Sequence, residues 1–303
     1  MQNTSGYDIV FASDAAGVNK LNFERRSYNA STGQVQYWVQ VPTVSHSTDT
    51  VIYLLYGATV SSDPSNKTGT WSSNYKGVWH MDETSGTVLA DSTLNANNAV
   101  KGSATNPAPV IGYVGGGQQF VNTGNLAASA PSPSTNITSG GITISAIMYP
   151  TNFNAYGGIY RRSSGTSDNG SAGQENLVIN NVGGDITYAV GGMNVTWPMG
   201  PNYTTAYNQN AWNFITLTHN FSTNTVSCYL NGKLLPFKAL AAVPNSAAND
   251  IIILGNRAYG VGNNSFPGTL DEIRVSSGVL SQDWIASEYN NQSNPGSFYS
   301  VSP

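Results

Sequence analysis

Charge is what this sequence has least of: Asp, Glu, Lys and Arg make up 9% of its 303 residues, against about 25% in an ordinary soluble domain. Net charge is −4 and no basic run occurs, so the electrostatic footprint of a nucleic-acid binder is missing. Apolar runs are short as well, and none reaches the roughly 18–20 residues that would span a bilayer as a helix. Met1-Gln2-Asn3-Thr4-Ser5 has neither the charged nor the apolar region of a signal peptide. An exported form is expected to have lost its signal, or to leave by another route such as virion release. A single cysteine, Cys228, excludes an intramolecular disulfide framework. It lies in Thr225-Val226-Ser227-Cys228-Tyr229-Leu230, which reads as a strand, and an inert buried thiol is expected there.

Helical periodicity is nearly absent. The exception is Ser281-Gln282-Asp283-Trp284-Ile285-Ala286-Ser287-Glu288-Tyr289. Ser281 suits an N-cap, Asp283 the first turn, and Trp284, Ile285 and Tyr289 one apolar stripe. What remains is short β-rich runs between clusters of Gly, Asn, Ser and Pro, the spacing of a sandwich. With so little charge, the surface must be hydrated by amides and hydroxyls, which suits a protein outside the cell or in an assembled particle.

The character of the chain changes along its length. Residues 1–57 hold strand-like runs at Tyr7 to Phe11, Val35 to Pro42 and Val51 to Gly57, and are expected to form a small N-terminal β-domain. Residues 58–76 are rich in Ser, Asn, Thr and Gly without periodicity and read as a linker. Residues 77–303 are a succession of strands, the larger domain. Within it, Asn231-Gly232 stands between apolar flanks, the strongest short hairpin signal, because both residues accept positive φ. Gly112-Tyr113-Val114-Gly115-Gly116-Gly117 lacks the helix and the Lys-Ser/Thr of a phosphate loop and reads as a tight corner.

Several of these runs carry a resemblance. Gly77-Val78-Trp79-His80-Met81-Asp82-Glu83-Thr84-Ser85-Gly86-Thr87, then Ala90-Asp91-Ser92-Thr93 and Asn95-Ala96-Asn97-Asn98, resemble the opening of concanavalin A-like, laminin-G-like domains. Gly117 to Phe120, Ile142 to Pro150 (without the family's usual Trp), Trp212 to His219, Tyr229 to Gly232, Gly268 to Val275 and the segment around Trp284 follow in the family's order. The resemblance covers about 77–296. It implies an all-β chain: a concanavalin A-like jelly-roll sandwich with a smaller N-terminal β-domain and one short C-terminal helix. Gly6 to Phe11, Leu21 to Glu24 and Trp38 to Pro42 resemble an uncharacterised β-domain that precedes such jelly rolls in microbial surface proteins. In that family further strands come before the Gly-Tyr-Asp-Ile run. The segment here is therefore short, or part of a longer chain, or completed by a strand from another molecule added at its sheet edge.

The resemblance also implies sites. A structural Ca²⁺ would take hard oxygen ligands, and Asp91, Asn95, Asn97 and Asp271 occupy the matching loop and late strand. The competing reading has Asp91 in an Asx turn and Asp271 paired with Arg274 or capping a loop. A lectin-type site stacks sugar rings on aromatics, for which Trp197, Tyr203, Tyr259 and Tyr156 stand out, with Tyr160 and Tyr207 beside them. With 17 Tyr and 6 Trp in a β-rich chain, most aromatics must instead be packing. Glycanases on this fold need two carboxylates on one face, roughly 5–9.5 Å apart. Asp82-Glu83 and Asp271-Glu272 are adjacent and should point to opposite faces. Arg161-Arg162 reads as a solvated loop pair. His46, His80 and His219 are too scattered for a metal motif, and structural roles are expected for His80 and His219.

The expected function is a non-catalytic structural or adhesion protein, extracellular, on the cell surface or on a virion, with glycan bound through the jelly roll. One alternative is a virion or filament subunit that self-associates by strand addition at the N-terminal edge. The other is a diverged glycan-cleaving enzyme.

Overall fold

The structure is a computed structural model. It describes residues 3–45, 47–60, 62–103, 106–121, 127–129, 133–152, 157–163, 175–179, 184–199, 207–244, 250–256 and 264–302. The chain forms two compact units, one of Met1–Ser73 with Ser92–Leu94 and one of Asn74–Asp91 with Asn95–Pro303.

The smaller unit holds a three-stranded antiparallel sheet, ordered Lys20–Leu21, Val10–Ala12, Tyr53–Leu55, and a hairpin of Phe23–Tyr28 with Val35–Val39. Alternate residues Ile9, Phe11 and Leu21, Phe23 turn inward and make its core. Phe11, Phe23 and Tyr37 meet edge to face with centroids 5.2–5.7 Å apart, the arrangement ring quadrupoles favour. The stretch expected as a linker is largely part of this unit. Asn66 N–H donates to Phe23 O (2.8 Å), Asn66 Oδ1 caps the short helix Lys67–Thr70, and Trp71 is buried with its indole N–H on Glu24 Oε2 (2.8 Å). An aperiodic polar sequence hid these anchors because their partners lie more than forty residues away.

The larger unit is a two-sheet antiparallel sandwich. Its first sheet runs Lys233–Leu234, Thr225–Leu230, Asn213–Asn220, Gly141–Pro150, Gly268–Ser277, Gly116–Phe120, Ala108–Ile111, and Tyr75–Trp79 pairs with the far half of Gly268–Ser277. The second runs Met193–Trp197, Ile186–Val190, Glu175–Ile179, Gly157–Ser163, Ile251–Leu254, Ala127–Ser129, Ala99–Lys101, Val88–Leu89. Ile142, Ile144, Ala146 and Met148 on the first sheet and Leu177, Ile179, Ile186 and Tyr188 on the second fill the space between them, as period-2 alternation requires. Asn231 and Gly232 both take positive φ (+50° and +73°) and close the hairpin between Leu230 and Lys233. The glycine-rich hexad is a corner between the strands Ala108–Ile111 and Gly116–Phe120. Ser281 Oγ accepts from Trp284 N–H at the start of the helix Gln282–Ser293, which buries Ile285.

The central strand departs from simple alternation. Across from it, two steps (Ser145 to Ile147) face three (Arg274 to Asp271). The extra residue is taken up at Glu272, whose φ is +48°, a β-bulge that re-aims side chains.

Candidate functional site

The bulge gathers a buried polar cluster on the central strand. Asp271 and Glu272 are both fully buried. Asp271 turns to the Tyr113 and Val114 amides while Glu272 turns to His80 and Arg274, and the charge of Glu272 still bears on Asp271. Asp271 Oδ2 accepts the backbone N–H groups of Tyr113 and Val114 (both 2.8 Å), so the glycine corner is an anion nest for a side chain of the same chain. Asp271 Oδ1 has no hydrogen-bond partner. Burial first, then Glu272, pushes the Asp271 carboxyl well above the ordinary range, against the pull of the two amides. Glu272 Oε1 lies 2.7 Å from His80 Nδ1, and Oε2 accepts from Arg274 (2.8 Å). Burial alone would raise Glu272, but His80 and Arg274 outweigh it and hold the carboxyl below its usual value. Arg274 reaches on to Glu288 of the C-terminal helix. The cleft beside this cluster, lined by Ser145, Phe214, Thr216, Glu288 and Tyr289 among others, has room for only about one water.

The four residues expected to hold calcium do not converge as a ligand set. Asp91 takes up the Asx-type role: Oδ1 accepts Val78 N–H (3.0 Å) and Oδ2 accepts Asn97 N–H (2.8 Å). Asn95 and Asn97 turn amide N–H₂ groups, not oxygens, onto the Tyr75 and Lys76 carbonyls. Asp271 is engaged at the glycine corner. Hard-cation chemistry needs several oxygens facing one point. The Asn95 and Asn97 amides donate while both Asp91 oxygens accept backbone N–H groups, and among the described residues no group of three or more His, Cys, Asp or Glu is placed to hold a metal ion.

Of the aromatics expected to stack on sugar, Trp197 is 2% exposed, belongs to the core, and donates its indole N–H to Pro236 O (2.7 Å). Trp197 ends the edge strand Met193–Trp197, with its ring turned inward. Tyr160 and Tyr207 are buried too. Tyr156, Tyr203 and Tyr259 lie outside the described residues. The strand ends nearest them share one end of the second sheet: Gly157 pairs with Ile179, Ile179 with Ile186, and Ile186 with Trp197, while Asn256 and Gly158 both bridge to Ser265.

Sequence reasoning missed a second buried cluster. Arg161 and Arg162, expected in a solvated loop, are fully buried in the strand Gly157–Ser163. Arg162 pairs with Asp250 (2.5 Å) and Asn136 (2.7 Å), and Arg161 donates to Ser163 Oγ (3.2 Å). On the same sheet Tyr188 donates to Glu175 Oε1 (2.5 Å). Only Ile159 and Tyr160 before the pair hinted at burial, since the partners of Arg162 lie 26 and 88 residues away.

The comparisons with known proteins follow this geometry. A family model described as the concanavalin A-like lectin/glucanases superfamily matches residues 122–286, more than half of the chain. The chain belongs to this superfamily. A model of a domain of unknown function matches residues 5–97. No curated protein matches significantly. Among solved structures, domain 4 of AbnA, a GH43 extracellular arabinanase from Geobacillus stearothermophilus in complex with arabinotriose, is 14% identical at TM-score 0.54 over 70% of this chain and 97% of that one. The binding domain of Paraclostridial Mosquitocidal Protein 1 is 18% identical at TM-score 0.56, and the receptor binding domain of botulinum neurotoxin mosaic serotype C/D 14% at 0.54. Each covers 73% of this chain, which in turn spans about half of either toxin domain. At these identities the likeness is one of fold.

Proposed function

We propose that this concanavalin A-like chain is a non-catalytic binding module of an extracellular or particle-surface structure, and that its sandwich recognises glycan. The observation that carries the reading is the match to the concanavalin A-like lectin/glucanases superfamily over residues 122–286. Ligand sites are lined largely by aromatic and apolar side chains with a few polar groups, and Tyr156, Tyr203 and Tyr259 are the sequence candidates for that role. The fold neighbour solved with arabinotriose supports the same ligand class. Against catalysis, the adjacent carboxylates of the central strand are buried and engaged by His80, Arg274 and two backbone amides, and the cleft that Glu272 lines has room for only about one water.

The test is retention of the full chain on immobilised polysaccharides, arabinan included. Binding is expected, with Tyr156→Ala, Tyr203→Ala or Tyr259→Ala each weakening it by about tenfold, the worth of one lost stacking contact. Failure to bind any glycan would sink the lectin reading, and release of reducing ends would restore the enzyme reading.

A second reading is favoured by the smaller unit. Tyr53–Leu55 forms one edge of its sheet, with Leu54 46% and Tyr56 67% exposed. An edge without charged or proline guards invites pairing with another chain. Under this reading the protein is a filament or virion subunit, and Leu54→Lys abolishes a concentration-dependent increase in sedimentation. A monomer at every concentration would refute it.

A further inference from the structure

One hydrogen-bonded chain in the larger unit passes from one sheet of the sandwich to the other. Glu175 lies at the start of Glu175–Ile179 and Tyr188 within Ile186–Val190, both on the second sheet. His219, on Asn213–Asn220, belongs to the first. All three are buried. Tyr188 Oη is 2.5 Å from Glu175 Oε1 and 3.3 Å from His219 Nδ1, and His219 Nε2 is 3.1 Å from Leu240 O.

These contacts can be counted in hydrogens. A carbonyl only accepts, so His219 Nε2 carries a hydrogen for Leu240. The contacts at Tyr188 need two more. Tyr188 supplies one, while an ionised Glu175 and a neutral His219 supply no other. One further proton is required, placed either on Glu175 or on His219 Nδ1.

We propose that Glu175, Tyr188 and His219 hold this one proton in common and thereby form a bridge between the two sheets that is released as pH rises. Removing it leaves a carboxylate and an unprotonated Nδ1 competing for a single hydroxyl hydrogen in a water-free interior, which is costly.

The charged and titratable groups around the chain agree with this. Arg162, the cross-strand partner of Glu175, pairs with Asp250, and its charge lowers the Glu175 carboxyl by less than burial raises it. Tyr160 Oη and Glu175 Oε2 have no hydrogen-bond partner, so an ionised Glu175 would lack a donor on its second oxygen. Burial raises the Glu175 carboxyl and lowers the His219 imidazole, the direction expected when the pair binds one proton together.

The sign follows from linkage. Unfolded, Glu and His titrate near about 4.3 and 6.5. Between those values both states bind one proton and stability is flat. Above about 6.5 the unfolded pair has lost its proton while the folded chain keeps it, so stability falls until the folded unit also titrates.

The experiment compares the full chain with Glu175→Gln by hydrogen exchange over Glu175–Ile179 and Asn213–Asn220, as pH rises from about 6.5. Gln supplies the missing hydrogen without titrating. In the wild type the opening equilibrium is expected to rise by up to about tenfold per pH unit relative to Glu175→Gln, one proton's linkage. Equal slopes would overturn the proposal. If the variant fails to fold, infrared bands of Glu175 and ¹⁵N shifts of His219 decide in the wild type at neutral pH. A carboxylic acid or an imidazolium supports the shared proton, whereas a carboxylate beside a neutral imidazole refutes it.

Discussion

His80 and Glu272 stand 192 positions apart in sequence, yet Nδ1 of one is 2.7 Å from Oε1 of the other, and both side chains are sealed from solvent. Through its second oxygen Glu272 holds Arg274, which reaches Glu288. One carboxylate therefore ties the residue after strand Tyr75–Trp79 to the C-terminal helix. Glu272→Ala takes from buried Arg274 one of its two carboxylate partners and from His80 its own, and a loss of about 3–5 kcal/mol is expected in denaturant unfolding of the larger unit. A loss under about 1 kcal/mol would mean the pair contributes little.

The same residue sets an acid limit. Glu272 is held below its ordinary value, so its contribution is present above about pH 4.3 and lost as pH falls through the lowered folded value. Acid unfolding of Glu272→Gln should show a shallower acid limb than the wild type.

Asp271 works in the opposite sense. Its folded value is raised, so its contribution is complete below about pH 3.9 and declines as pH rises through the folded value. Asp271→Asn should gain on the wild type in melting temperature between mildly acidic and mildly alkaline buffer. A difference that does not change with pH would contradict this.

Gly112 permits the corner that serves Asp271. A Cβ there would sit 2.1 Å from Gly116 O and 2.7 Å from Asp271 Oδ2. Gly112→Ala should cost about 2 kcal/mol or more through overpacking and speed hydrogen exchange at the Tyr113 and Val114 amides. Unchanged protection at those two amides would show that the corner tolerates the methyl.

Trp197 separates packing from recognition. Trp197→Ala should lower stability by about 3–5 kcal/mol, as core aromatic truncations do, while chain that remains folded keeps its glycan affinity. Lost affinity at full stability would return this ring to the binding surface.

Local signals in the sequence translated well. Asn231-Gly232 and Ser281 act through neighbours two or three residues away, and the period-2 runs marked the core. What stayed illegible depends on distance. Trp71 reads as part of a spacer until its indole is seen on Glu24, and Arg162 reads as solvated until Asp250, 88 residues later, is placed beside it. The calcium expectation turns on finer detail than residue type. The residue types were present, but the direction of an Asn amide is set by the nearest carbonyl rather than by composition.

Cys228 carries a practical consequence. The chain's one thiol is wholly enclosed between strands, and burial pushes it far from ionisation. A cysteine introduced at an exposed position such as Val18 or Ile111 would then be the sole site open to a maleimide. Fluorophores or spin labels could be attached to either unit in turn, with the native sequence otherwise left intact.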